Sequence, residues 1–307
     1  MELQAQPNLK GETQMRSKSV ILMVAVVTGS VSVAYYGLNY VLKKGEQQSF
    51  PEEKGSAPPV AVDNRAAPSQ NDPSAGNITS KAGAFPQDLA TAGIKGTVTF
   101  AGTPPPRLAL DTSGDPKCAA HHKEPLLRED VIVTDGKLKN VIVYVKKGTE
   151  KWTFSATAEP AVLDQRGCQY SPHVFGMMVN QPLLIKNSDD LAHNIHAVAT
   201  INQEFNESQP RSGLETIKFF SQPEMPVKIQ CDVHRWMGAF IGVFSHPFFA
   251  VTGEDGSYVI NGLPPGQYEI EAWQESKKLD GPHSATITLG DKEAKVLNFN
   301  FTFGAKK

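Results

Sequence analysis

The stretch Cys231-Asp232-Val233-His234-Arg235-Trp236-Met237 places a thiol, an imidazole and a thioether close together, and a His193-Asn194 pair stands well upstream. Sulfur donors suit Cu(I), imidazole suits both Cu(I) and Cu(II), and a long bond to methionine changes little between the two states. Two histidines, one cysteine and a weak methionine are therefore the donor set of a mononuclear copper site that passes single electrons. The sequence offers that set in His193, Cys231, His234 and Met237. Zinc is the poorer match, because structural zinc takes further Cys or His in place of a soft Met.

The donors need rigid elements on both sides. Val227 to Gln230 and Ala239 to Phe244 read as strands flanking the loop, so one loop carries three donors while His193 comes from a separate strand. Further strand patterns follow one another at Ala161 to Leu163, Val174 to Val179, Leu183 to Ile185, Asn194 to Ala199 and Thr216 to Phe220. Close spacing without helical periodicity predicts an all-β, antiparallel sandwich with Greek-key connections. Upstream, Ile94 to Phe100 reads as a strand, and Thr134-Asp135-Gly136-Lys137 carries the Asp-Gly chemistry of a tight hairpin. His196 follows His193 by three residues, so on a regular strand the two point to opposite faces and only one of them is a ligand. His196 stays open as the alternative.

Lys186-Asn187, then His193-Asn194, then Cys231-x-x-His234-x-x-Met237 resemble the cupredoxins, the blue-copper family, over roughly residues 160 to 245. The loop spacing is close to that of amicyanin and shorter than that of plastocyanin. The resemblance implies His193, Cys231 and His234 as strong in-plane ligands, Met237 as the weak axial one, and Asn194 as a brace of the ligand loop near the Cys231 sulfur. It also implies the His234 ring edge as the electron port, inside a docking patch of Trp236 and Phe240 with Met177 and Met178. Arg235 departs from the pattern, standing where a Pro or small residue is common. Nearer the C-terminus, Thr252-Gly253-Glu254-Asp255-Gly256-Ser257-Tyr258 and Gly262-Leu263-Pro264-Pro265-Gly266-Gln267-Tyr268 resemble the carboxypeptidase regulatory-like, or transthyretin-like, β-sandwich modules. Such modules specify a fold far better than a function.

Residues 20–42 carry no charge and at about 1.5 Å per residue are long enough to cross a bilayer. Ser32-Val33-Ala34 would suit signal-peptide cleavage, but the apolar run continues past it, which favours a retained anchor; either way the bulk of the chain is exported. Residues 43–90 are rich in Pro, Ala, Ser, Gly and Gln and cannot bury a core, which makes them a disordered linker. The expected order is a cytoplasmic 1–19, an anchor at 20–42, the linker at 43–90, a cupredoxin-like domain at 91–246 and the transthyretin-like sandwich at 247–307.

Three cysteines in an exported chain leave one unpaired. Cys118 and Cys168 lie outside the ligand loop and are the natural disulfide, although sequence alone does not fix connectivity. His121-His122-Lys123-Glu124 matches the H-x-x-E fragment of zinc carboxypeptidases, but no alternation of helix and strand supports an enzyme of that kind. Nothing in a net charge of -2 suggests a nucleic-acid binder. The expectation is a membrane-anchored copper protein outside the cytoplasm that carries single electrons between redox partners and is not an enzyme. The alternatives are a copper storage or delivery protein, and a metal-free structural or carbohydrate-binding surface protein.

Overall fold

A computed structural model describes residues 82–304. The expected cytoplasmic segment 1–19, the anchor at 20–42 and linker residues 43–81 lie outside the described residues. Among those described, no helix is long and apolar enough to cross a membrane.

The described residues are nearly all β, in two sandwiches. One is continuous in sequence. Its five-stranded sheet runs in the order Phe205–Gln209, His193–Val198, Glu224–Gln230, Gly238–Phe244, Val174–Met178, and its four-stranded sheet in the order Leu214–Lys218, Leu183–Asn187, Ala161–Gln165, Tyr170–Ser171. Alternate residues point inward, as the period of a strand requires. Leu183 and Ile185 of the smaller sheet meet Ile195, Ala197, Val227, Ile229, Ala239 and Ile241 of the larger in one core. The arrangement is mixed, in place of the expected antiparallel one: Leu183–Asn187 runs parallel to Ala161–Gln165, and Gly238–Phe244 parallel to Val174–Met178. The chain changes sheet between Ser171 and Val174, so these partners are joined by crossovers and not by hairpins.

The second sandwich corrects the expected division at residue 246. Its sheets combine Ala92–Phe100, Lys137–Leu138 and Ile142–Lys147 with Phe249–Val251, Ser257–Leu263, Gly266–Trp273, His283–Leu289 and two short terminal strands. Ala92–Phe100 lies between Ser257–Leu263 on one side and Ala294–Val296 and Phe299–Phe301 on the other. The strands Ala92–Phe100, Lys137–Leu138 and Ile142–Lys147 therefore belong with the C-terminal module, because that module alone lacks strands to complete its sheets. The first sandwich is an insertion into this outer one. Entry and exit adjoin, since Val145 N donates to Phe248 O at 3.0 Å.

The Asp-Gly hairpin is present. Asp135 and Gly136 have φ of 49° and 73°, the pair of left-handed conformations such a turn needs. The linker ends earlier than position 90: Gly83–Ala84 pairs with Trp152–Thr153, and the Phe85 ring packs 4.9 Å from Phe154 and 5.7 Å from Phe248. Between the sandwiches, Ile142 and Tyr144 meet Val174 and Phe244 in a third apolar cluster. Gly176 permits the contact, because a Cβ there would sit 2.5 Å from the Phe249 ring.

Candidate metal centre

The loop 231–237 joins Glu224–Gln230 to Gly238–Phe244 and closes on itself. Met237 N donates to His234 O at 2.9 Å, Cys231 N donates to Met237 O at 3.3 Å, and His234 N points at Cys231 Sγ at 3.3 Å. His193 opens the neighbouring strand, whose pairing with Glu224–Gln230 carries it to the mouth of the loop. Ligating atoms of His193, Cys231 and His234 all lie within 4.8 Å of one another. The two Nδ1 atoms are 2.9 Å apart and Cys231 Sγ is 4.0 Å from His234 Nδ1. All three residues are at most 2% exposed, and Met237 packs in the same core as Cys231.

Asn194 fastens the loop to the sheet. Its Oδ1 accepts from Asp232 N at 2.8 Å and Val233 N at 3.3 Å, and the Cys231 thiol donates to it at 3.2 Å. His196 is turned away from this cluster: its Nδ1 faces Asp232 at 3.1 Å and its Nε2 faces Glu204 at 2.6 Å.

Cys118 and Cys168 are bonded, with Cα atoms 5.7 Å apart, and Cys231 is the free cysteine. The bridge lies against the site, with Cys118 Sγ 3.7 Å from His234 Nε2. Two carboxylates that no sequence motif marks complete the surroundings. Asp189 Oδ2 is 3.0 Å from His193 Nε2, and Asp115 Oδ2 is 3.2 Å from His234 Nε2. Both imidazoles thus offer Nδ1 inward and have Nε2 engaged outward. Aspartates are common in loops for many reasons, so their type gave no signal; Asp115-Pro116, a helix cap followed by an N1 proline, was the one local cue.

This packing corrects the expected electron port. His234 is 2% exposed, and its outer edge is covered by Asp115 and Cys118. The expected patch is dispersed too. Met177 and Met178 are buried, and Phe240 packs 5.6 Å from Trp273 at the junction of the sandwiches. Trp236 stays half-exposed beside the site, its ring 4.9 Å from that of His234 and its Nε1 donating to Cys168 O.

The electrostatics centre on the buried His193–Asp189 pair. Burial opposes the Cys231 thiolate, yet the His193 ring and backbone N–H groups of the loop bring its pKa below the ordinary thiol value. Burial likewise opposes a charged His193, but Asp189 and Cys231 raise its pKa to about 9. Asp189, although buried, is held at about 2 by His193 and the N–H groups of Cys168 and Gly167. Two nitrogens and one sulfur converging in a water-poor site, with outer nitrogens already satisfied, fit a copper ion of the kind the sequence suggests.

No family model matches the chain, and no curated protein matches it. Parts of the chain are similar to solved structures. A purple cupredoxin from Nitrosopumilus maritimus is 20% identical, covering 27% of this chain and 98% of its own, with a TM-score of 0.24. A mutant of amicyanin in the Cu(I) form is 19% identical, covering 27% and 81%, with a TM-score of 0.25. A copper-containing nitrite reductase from Thermus scotoductus is 12% identical, covering 48% and 28%, with a TM-score of 0.27.

Proposed function

We propose that the inserted sandwich is a cupredoxin-like domain that holds one copper ion with His193, Cys231, His234 and Met237, and that the protein is a one-electron carrier, not an enzyme. The observation that carries this reading is the convergence of His193 Nδ1, His234 Nδ1 and Cys231 Sγ in one buried pocket. When bound, copper would supply the one-electron couple. The chain's own part is to keep ligand movement small. Asn194 pins the loop through the N–H groups of Asp232 and Val233, and Asp189 and Asp115 fix the orientation of the imidazoles. The covered ligands exclude water and leave little room for a substrate at the centre, which supports a carrier over an enzyme.

The same enclosure weighs against rapid copper delivery, where a donor protein needs a ligand open to its recipient. The carbohydrate-binding alternative loses its aromatic groove, because Trp152 packs on Phe85 and Trp273 on Phe240. In the proposal, residues 20–42 anchor the chain in a membrane, both sandwiches lie outside the cytoplasm, and redox proteins are the partners.

Addition of Cu(II) to the purified protein is expected to give intense thiolate-to-copper absorption at one ion per chain. Cys231→Ser should abolish it, and Met237→Leu should change the reduction potential more than the copper content. A protein that stays colourless with Cu(II) overturns the proposal.

A further inference from the structure

The loop from Leu108 to Arg128 closes at its base, where Leu110 N donates to Leu126 O at 2.7 Å and Arg128 N to Leu108 O at 2.9 Å. Its tip carries the short helix Pro116–Ala120. That tip is fastened to the inserted sandwich by the Cys118–Cys168 bond, by His122 Nε2 to Gly167 O at 2.7 Å, and by Asp115 to His234. Asp115 does two things at once. Its Oδ1 caps the helix by accepting from Lys117 N at 2.8 Å and Cys118 N at 3.4 Å, and its Oδ2 meets the His234 ring.

The other half of the bridge is built to the same end. Gly167 and Cys168 are both left-handed, with φ of 61° and 55°. This aims their consecutive N–H groups at Asp189, at 2.7 Å each. Consecutive N–H groups so arranged form an anion-holding concavity. For Cys168 the conformation carries a backbone cost that the surroundings must sustain. The carboxylate held there is the one that meets His193 Nε2.

Each cysteine of the bridge thus presents its own N–H to a carboxylate, and each carboxylate holds one imidazole. We propose that Asp115 and Asp189 are positioning residues of the metal centre, and that the Cys118–Cys168 bridge keeps both on their histidines. The inference deepens the copper reading and rests on it for its spectroscopic part. A carboxylate on the outer nitrogen of a ligating histidine orients the ring and raises its basicity, which favours Cu(II) over Cu(I). Loosening the bridge should therefore alter the centre although neither cysteine is a ligand.

The test uses the full chain with and without copper. Asp115→Ser keeps a helix-capping oxygen but is too short to reach His234, which separates positioning from capping. Loss of the carboxylate contact is expected to weaken Cu(II) binding about tenfold relative to Cu(I). That is a rise in reduction potential of about 59 mV. The double variant C118S/C168S should shift the potential in the same direction and further, since both carboxylates loosen. In metal-free protein, iodoacetamide reports on Cys231, the free thiol. Its alkylation is expected to be at least about tenfold faster in the folded double variant, because a thiol's reaction depends on access. An unchanged potential in Asp115→Ser, or an unchanged alkylation rate in the folded double variant, overturns the proposal. If wild-type protein shows no thiolate-to-copper absorption, the copper reading fails by itself and the alkylation comparison still decides the role of the bridge. If the double variant does not fold, the potential of Asp115→Ser decides.

Discussion

The two sandwiches are alike in architecture and differ in the number and kind of polar groups they bury. The outer one closes on an apolar core, Ile94, Val98, Leu138, Val143, Tyr268 and Ile270 among its members. A buried polar group such as Thr252 serves there to finish strands, donating to Leu138 O and accepting from Val141 N. The inserted sandwich buries Gln165, Asn187, Asp189, His193, Asn194, Gln209, Glu224 and His234, whereas the outer one buries fewer, Asn140, Thr252, Glu271 and Gln274 among them. Most have partners at hand: Gln165 Nε2 donates to Gln209 Oε1 at 2.6 Å, and Asn187 Nδ2 to Leu191 O and Gln209 O, although Gln165 Oε1 is buried without one. Burying polar groups costs free energy unless each is hydrogen-bonded. A site-bearing sandwich is therefore expected to be the less forgiving in polarity, and its scaffold the less forgiving in volume.

The largest effect expected from this contrast is in the outer core. Ile270 is fully buried there, and Ile270→Ala should lower unfolding stability by about 2–5 kcal/mol. Chemical denaturation would measure it, while the copper spectrum should stay as in the wild type. A spectral change would mean that the two sandwiches are not separable in function. Next comes acid sensitivity of the inserted sandwich. Burial raises the Glu224 carboxyl, but donors on Thr200 and Asn202 hold it at about 2, against 4.5 unperturbed. A depressed pKa gives stability that is complete above pH 4.5 and lost as pH falls through about 2. The loss should be about 1.5–3 kcal/mol, as for hydrogen bonds to a charged group. Glu224→Gln should flatten that part of the pH profile. The smallest effect is at the exposed His196 pair with Glu204 and Asp232. His196→Ala should cost about 0–1 kcal/mol and leave copper absorption unchanged, whereas a lost spectrum would make His196, not His193, the upstream ligand.

Local chemistry was what the sequence made legible. Cys231, His234 and Met237 share one loop, so their spacing alone announces them, and the Asp135-Gly136 turn is written in two adjacent residues. The disulfide followed from counting three cysteines and reserving Cys231. What remained hidden was non-local. Ala92–Phe100 alternates like any strand, and nothing in it says that its partners are Ser257–Leu263 and the last strands of the chain. Asp115 and Asp189 became visible only when folding brought their loops to the histidines. The covering of His234 depends on a loop that ends more than a hundred residues earlier in the chain.

The insertion also sets an order of assembly. Ala92–Phe100 pairs with residues about 200 positions away, so the outer sandwich cannot be completed until nearly the whole chain is available. Such distant pairing is slow, and its strand edges stay exposed meanwhile. The inserted sandwich has all its strands between Ala161 and Phe244, and once folded it brings Val145 beside Phe248. That shortcut halves the span still to be closed, an entropic saving of about 0.6 kcal/mol. The segment bearing the histidines and cysteine would then be finished first and act as the clasp on which its own scaffold closes.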